Sequence, residues 1–262
     1  MDYTAAGDDP CGGLRPRLPF AARARHPTSD GPMSDEATLF VDRPADGVLR
    51  LRLNRPARHN ALDAELVAAL HDALARPEAR AIVLGSAAPG QFCAGADLSI
   101  AATERVSVSE GLYDLYRRIL ALEAPVLAAI CGPAVGGGAQ LAVACDLRVA
   151  EPAAWLQFVG PEHGLAVGAW ALPGLVGRGR ALDLCLTGRR VVAGEALAMG
   201  LVDRVAEDAD AAALALAGEL ARLDAGAVAR VKAIASRACE EALELEARGN
   251  RGWTGIVPRT GP

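Results

Sequence analysis

Two short apolar segments, each followed by a glycine-rich stretch, constrain the fold of this sequence most. Residues 81–84 and 126–130 carry only apolar side chains, and glycine-rich stretches follow at 90–95 and 132–138. Apolar runs of this length that lead into glycines are typical of strands buried on both faces of a parallel sheet. Leucine and isoleucine recur at helical spacing in 109–122, which supplies the crossover that parallel strands need. The sequence therefore predicts an α/β fold.

Other segments fit this architecture. Residues 48–53 alternate apolar and polar side chains, which predicts a strand with one face toward solvent. Asp63 is placed to cap a helix in which Leu66, Leu70 and Leu74 share one face. Beyond residue 180 the pattern is mostly helical.

The last predicted helix, at 226–247, is rich in charged residues. Its acidic and basic side chains stand at spacings that allow ion pairs along the helix. We therefore expect a solvated helix face that includes Lys232.

Charge and cysteine spacing narrow the class of protein. A net charge of -5 argues against a nucleic-acid partner, which requires a basic face. Apolar runs stay shorter than the about 18 residues that span a bilayer, so we expect no membrane partner. The six cysteines form no CxxC pair. We expect a reduced, cytoplasmic protein without a metal site.

Residues 1–35 differ from the rest of the chain. They are rich in glycine, proline and arginine and show no helix or strand periodicity. We expect a disordered N-terminal extension over 1–35, an α/β core over 36–205 and a helical C-terminal region over 206–262.

The two glycine-rich loops are the candidate functional elements. They span 90–98 and 132–140, and each follows a buried strand. Glycine lets a backbone approach a ligand closely, and a helix that begins there directs N–H groups at it. Two such loops can converge on one oxygen and stabilise developing negative charge.

Six segments, in their order and spacing, resemble the enoyl-CoA hydratase/isomerase (crotonase) superfamily. The matching segments are 53–62, 92–98, 132–148, 158–162, 186–188 and 196–202. The resemblance covers residues 36–250. It implies a crotonase-like spiral of ββα repeats with a helical C-terminal region, assembled as a homotrimer or a dimer of trimers. It also implies an acyl-CoA thioester substrate, an enolate intermediate and no cofactor besides the CoA of the substrate.

The resemblance also assigns site residues. The amide N–H groups of Ala96 and Gly137 would form an oxyanion hole. The residues that would line the thioester, the pantetheine or the CoA nucleotide are Ala94, Ala96, Asp97, Leu98, Ser99, Gly136, Gly137 and Arg58.

The catalytic carboxylates depart from the family pattern. Family hydratases use two glutamates, and this chain has Gln140 at the first position and Glu162 at the second. An amide can hold a water molecule but cannot accept its proton. Loss of one acid/base group costs about 10²–10⁴ in rate. Because one carboxylate suffices to move a double bond, the residues favour an isomerase over an efficient hydratase.

A non-catalytic acyl-CoA binding protein is the alternative function. Gln140 motivates it, as does Trp170, which either reshapes the acyl pocket or packs in the core. The sequence ends at Pro262, soon after Trp253 and before the family's usual last helix. We therefore expect weaker enclosure of the acyl chain and a less stable trimer. Fatty-acid or related acyl-CoA metabolism is the expected setting.

Overall fold

The computed structural model describes residues 37–256, so the predicted extension at 1–35 lies outside the described residues. This part of the chain contains nine strands and eight helices. The strands are β1 (Leu39–Ala45), β2 (Val48–Leu53), β3 (Ala81–Ser86), β4 (Val126–Ile130), β5 (Ala134–Val135), β6 (Leu147–Ala150), β7 (Trp155–Gln157), β8 (Val191–Val192) and β9 (Arg204–Val205). The helices are α1 (Ala64–Ala73), α2 (Ala102–Ala121), α3 (Gly137–Ala144), α4 (Leu172–Val176), α5 (Arg178–Thr187), α6 (Ala193–Met199), α7 (Ala209–Ala221) and α8 (Ala225–Gly249).

The main sheet has six strands in the order β1-β2-β3-β4-β6-β9. β1 pairs antiparallel with β2, and the other pairs are parallel. This arrangement confirms the α/β prediction. Strand β1 was not predicted, because its side chains are all exposed or only partly buried and leave no clear apolar pattern.

Helices cover both faces of the sheet, which explains why β3 and β4 are apolar throughout. Ala81 and Val83 pack with α7, while Ile82 and Leu84 belong to the larger core shared with α1, α2 and α3. Successive side chains of a strand point to opposite faces, so both faces require apolar residues.

A second sheet, in the order β5-β7-β8, lies beside the second glycine-rich loop. β5 pairs parallel with β7, and β7 pairs antiparallel with β8. Because α3 begins at Gly137, two residues after β5 ends, this small sheet fixes where α3 begins. Within residues 37–256 no helix is both long and apolar enough to cross a membrane.

The expectation that Lys232 faces solvent is wrong. Its side chain is buried, and its Nζ atom donates to the carbonyl oxygen of Ile119 at 2.9 Å and pairs with Asp146 at 2.7 Å. A buried lysine needs such partners, because desolvation of an unpaired charge is costly. These contacts join α8 to the end of α2 and to the segment before β6.

Candidate active site

The two glycine-rich loops run side by side. The amide of Cys93 donates to the carbonyl oxygen of Pro133 at 3.0 Å, and the amide of Val135 donates to the carbonyl oxygen of Cys93 at 2.9 Å. These bonds form a parallel bridge between Cys93 and Ala134. The bridge brings the backbone after Cys93 next to the backbone that enters α3.

Gly95 allows the closest approach of the two loops. Its φ is +89°, a left-handed conformation that favours glycine. A methyl group on Gly95 would lie 2.6 Å from the carbonyl oxygen of Val135 and 3.3 Å from the amide nitrogen of Gly137. A larger residue at position 95 would therefore push the two loops apart.

The amide groups of Ala96 and Gly137 are free to bind a ligand. Neither donates to another group among residues 37–256, whereas the amide of Asp97 donates to Leu62 at 2.9 Å and that of Gly136 to Gln157 at 2.8 Å. Gly137 is the first residue of α3, where N–H groups lack helical partners and the helix dipole is positive. Two free donors at adjoining loops can hold an oxygen that gains negative charge.

Both amides belong to residues that line one cavity of about 170 Å³. Most of the wall is apolar, with a few polar side chains. The residues that line it besides the two donors are Ala94, Gly95, Leu98, Arg105, Ser109, Leu112, Tyr113, Tyr116, Val135, Gly136, Gln140, Val159, His163, Leu165, Val167 and Trp253. Among the described residues, then, no aspartate or glutamate lines this cavity.

Gln140 is held in one orientation by Trp170. The Gln140 side chain is 5% exposed, and its Oε1 atom accepts a hydrogen bond of 2.7 Å from the indole Nε1 of Trp170. An indole nitrogen can only donate, so the amide oxygen must face Trp170 and the NH₂ group must point away from it. Gln140 also lines the cavity. Gln140 therefore presents donors to the cavity, not a proton acceptor.

Trp170 is buried and does not line the cavity. Its ring stacks on that of Tyr116, with 6.2 Å between centroids. Of the two interpretations of Trp170, the core-packing one fits its position, although it still orients Gln140.

Glu162 lies outside the cavity. It belongs to the 3₁₀ turn Pro161–His163 and is exposed, and a methyl group on Gly188 would be 3.7 Å from its Oε1 atom. The adjacent residue, His163, lines the cavity, and its buried Nδ1 atom has no hydrogen-bond partner among the described residues. In this conformation Glu162 is thus not brought together with Ala96, Gly137 and Gln140.

The remaining predicted binding residues, apart from Asp97, divide into two groups. Ala94, Leu98 and Gly136 line the cavity beside the two donor amides. Arg58 and Ser99 are exposed and do not line it.

Asp97 stabilises the first glycine-rich loop through its buried carboxylate. It is buried and forms an ion pair with Arg55 at 3.3 Å, and it accepts a hydrogen bond of 2.6 Å from the Ser99 hydroxyl. Burial opposes ionisation, but the hydrogen bonds from Ser99 and the charge of Arg55 outweigh it and lower the pKa of Asp97 below its ordinary value. Its carboxylate therefore stabilises the loop instead of facing the cavity.

Comparison with known proteins identifies the family. A sequence profile described as enoyl-CoA hydratase/isomerase matches residues 43–253. The chain belongs to this family. The probable enoyl-CoA hydratase echA6 of Mycobacterium bovis is 41% identical over 196 residues, which is 72% of this chain and 79% of that protein. The predicted resemblance to the crotonase superfamily is confirmed.

Two solved structures similar to this hydratase/isomerase family member are a hydratase and an isomerase. An enoyl-CoA hydratase from Bacillus anthracis matches with a TM-score of 0.73 and 29% identity, covering 82% of this chain and 91% of that one. A monofunctional enoyl-CoA isomerase from M. smegmatis matches with a TM-score of 0.67 and 29% identity, covering 79% and 98%. The predicted crotonase-like fold is confirmed. Because both activities occur on this fold, the reaction must be argued from the site.

One buried carboxylate of this hydratase/isomerase family member was not predicted from the sequence. Glu246, on α8, is 6% exposed. Its Oε1 atom accepts a hydrogen bond of 2.9 Å from the Tyr113 hydroxyl, and its Oε2 atom accepts one of 3.1 Å from the amide of Trp170. Burial raises the pKa of Glu246 to about 7, although these hydrogen bonds favour the charged form. One signal in the sequence could have found it. Glu246 follows Cys239 and Leu243 at spacings of four and three residues, which places all three on one buried face of the helix.

The segment after α8 covers one side of the cavity. Trp253 lines the cavity, and its indole nitrogen donates to the carbonyl oxygen of His163 at 2.8 Å. Arg105 donates to the carbonyl oxygen of Gly255 at 2.8 Å. Trp253 thus contributes to the wall of the cavity, and the expected weaker enclosure of the acyl chain stays a prediction.

Proposed function

We propose that this protein binds an acyl-CoA thioester with its carbonyl oxygen between the amides of Ala96 and Gly137, and stabilises the enolate formed from it. The observation that carries the proposal is the pair of unbonded N–H groups on adjoining loops of one cavity. Negative charge develops on the thioester oxygen when a proton leaves the α-carbon. Fixed donors at that oxygen lower the barrier, and each donor raises the rate by about 10²–10³.

Migration of a double bond is the reaction that the site supports best. Hydration needs a base to activate water, and the NH₂ group of Gln140 cannot accept a proton. Isomerisation of a 3-enoyl-CoA to a 2-enoyl-CoA needs no activated water. The resemblance supports Glu162 as an acid/base in this reaction. Its side chain is exposed and belongs to the turn that also contributes His163 to the cavity.

Binding of acyl-CoA without turnover is the second candidate function. It is favoured by the lack of an aspartate or glutamate among the described residues that line the cavity. In that case the same two amides hold the thioester carbonyl, and no proton is moved.

A paired assay tests the proposed function. Purified protein is given a 3-enoyl-CoA in one reaction and a 2-enoyl-CoA with water in the other, and the conjugated-thioester absorbance is followed. We expect absorbance to rise with the 3-enoyl-CoA and to fall slowly with the 2-enoyl-CoA. Glu162→Gln should lower isomerisation by about 10² or more, the cost of one acid/base group, and leave calorimetric binding of a saturated acyl-CoA unchanged.

The exposed Glu207 provides the matched control. Glu207→Gln should leave isomerisation unchanged. Equal isomerisation by wild-type protein and Glu162→Gln would contradict the role of Glu162. Binding by the wild-type protein with no change of absorbance in either reaction would favour the second candidate function.

A further inference from the structure

A hydrogen-bonded chain links the cavity to the C-terminal helix. Tyr113 lines the cavity and is 7% exposed. Its hydroxyl donates to Glu246 at 2.9 Å and accepts from the Nδ2 atom of Asn250 at 2.7 Å. Gln140, the residue that replaces a family glutamate, lines the same cavity. Tyr113 thus stands between the cavity and a buried carboxylate.

We propose that Tyr113 transfers the proton at the α-carbon of the bound thioester and that Glu246 is the carboxylate behind it. This inference rests on the proposed function, because it needs an enolate held by Ala96 and Gly137. Glu246 does not touch the cavity, so it acts through Tyr113 as a positioning residue and a proton reservoir.

The proton transfer balances without a co-reactant. As the α C–H bond breaks, its electron pair enters the enolate, and its proton goes to the Tyr113 oxygen. The hydroxyl proton that Tyr113 held passes at the same time to Oε1 of Glu246. In the reverse direction Glu246 returns that proton to the Tyr113 oxygen, and Tyr113 gives its own proton to the carbon. Glu162 of the proposed function, in its protonated form, gives a proton to the other reacting carbon. The cycle closes when Glu246 returns its proton through Tyr113 to solvent water in the cavity and Glu162 takes one from solvent.

The surroundings of Glu246 suit an acceptor that gains and loses a proton. Its hydrogen bonds come from neutral groups, the Tyr113 hydroxyl and the amide of Trp170. The titratable groups that face it from other elements are Tyr113 and Tyr116 on α2 and the Cys185 thiol on α5, and their pKa values are raised by burial and by negative charge nearby. With a pKa of about 7, Glu246 changes its charge within the working range of most enzymes.

Exchange of the α-proton with solvent tests this inference separately from isomerisation. Saturated butanoyl-CoA is incubated with the protein in D₂O, and loss of the α-proton signal is followed by NMR. We expect wild-type protein to exchange it, at a rate that rises with pH through about 7, since the acceptor must be ionised. Tyr113→Phe should slow exchange by about 10² or more, and Glu246→Gln should slow it and remove the pH dependence.

Two control variants distinguish failure of this inference from failure of the proposed function. Glu244, also on α8, pairs with Arg117 and not with Tyr113, so Glu244→Gln should exchange at the wild-type rate. Glu162→Gln should keep α-proton exchange while it loses isomerisation. Wild-type exchange in Tyr113→Phe would overturn this inference and leave the proposed function intact. Wild-type protein that binds butanoyl-CoA but neither exchanges nor isomerises would overturn both. Circular dichroism and calorimetric binding of butanoyl-CoA establish that each variant is folded.

Discussion

Replacing Gly95 with alanine is expected to lower isomerisation by about 10²–10³, the value of one oxyanion donor, and to weaken acyl-CoA binding. The added methyl group would lie 2.6 Å from the carbonyl oxygen of Val135, and the residue would keep a φ of +89° that alanine rarely adopts. Relief of this contact separates the loops and misplaces the amides of Ala96 and Gly137. Steady-state kinetics with a 3-enoyl-CoA measure the effect.

Gly90→Ala is the matched control for this prediction. Gly90 lies at the start of the same loop and has a φ of +66°, but a methyl group there would meet no atom within 4 Å. Both variants therefore carry backbone strain, and only Gly95→Ala forces the two loops apart. Comparable losses of activity in the two variants would contradict the argument from close approach.

Replacing Gln140 with glutamate is expected to raise hydration of a 2-enoyl-CoA by about 10² or more, the gain typical of one general base. One carboxylate oxygen can still accept the hydrogen bond from the indole of Trp170, as the amide oxygen does at 2.7 Å in the wild-type protein. The second oxygen then takes the place of the NH₂ group and can accept a proton from water. Loss of conjugated-thioester absorbance measures the gain.

Gln140→Met serves as the control, since it removes the amide without adding a base. Hydration by Gln140→Met should stay at or below the wild-type rate. If Gln140→Glu hydrates no faster than Gln140→Met, position 140 does not limit hydration, and the argument that favours isomerisation would be wrong.

The fold followed from the sequence wherever burial was uniform or a cap was local. The apolar runs became β3 and β4, and the side chain of Asp63 caps α1 by accepting from the amide of Leu66 at 2.9 Å. Those features depend on neighbouring residues alone, so periodicity reveals them. Strand β1 depends on pairing with β2 and leaves little trace in its own composition.

Only part of the candidate site could be predicted from the sequence, for a related reason. The loops that carry Ala96 and Gly137 are continuous glycine-rich segments, whereas the contact between Tyr113 and Glu246 joins residues 133 positions apart. A charged residue on a helix is usually solvated, and this expectation failed for Lys232 and concealed Glu246. The position of Glu162 depends on how its turn is folded, which spacing alone does not determine.

Infrared difference spectroscopy tests whether the amides of Ala96 and Gly137 bind the thioester carbonyl. A saturated acyl-CoA with an isotope-labelled thioester carbonyl is bound to wild-type protein and to Gly95→Ala, at concentrations that saturate each. Hydrogen bonds polarise a carbonyl and lower its stretching frequency. We expect a lower frequency on binding to the wild-type protein and a smaller change in Gly95→Ala. A bound thioester with the same carbonyl frequency as in free solution would contradict it.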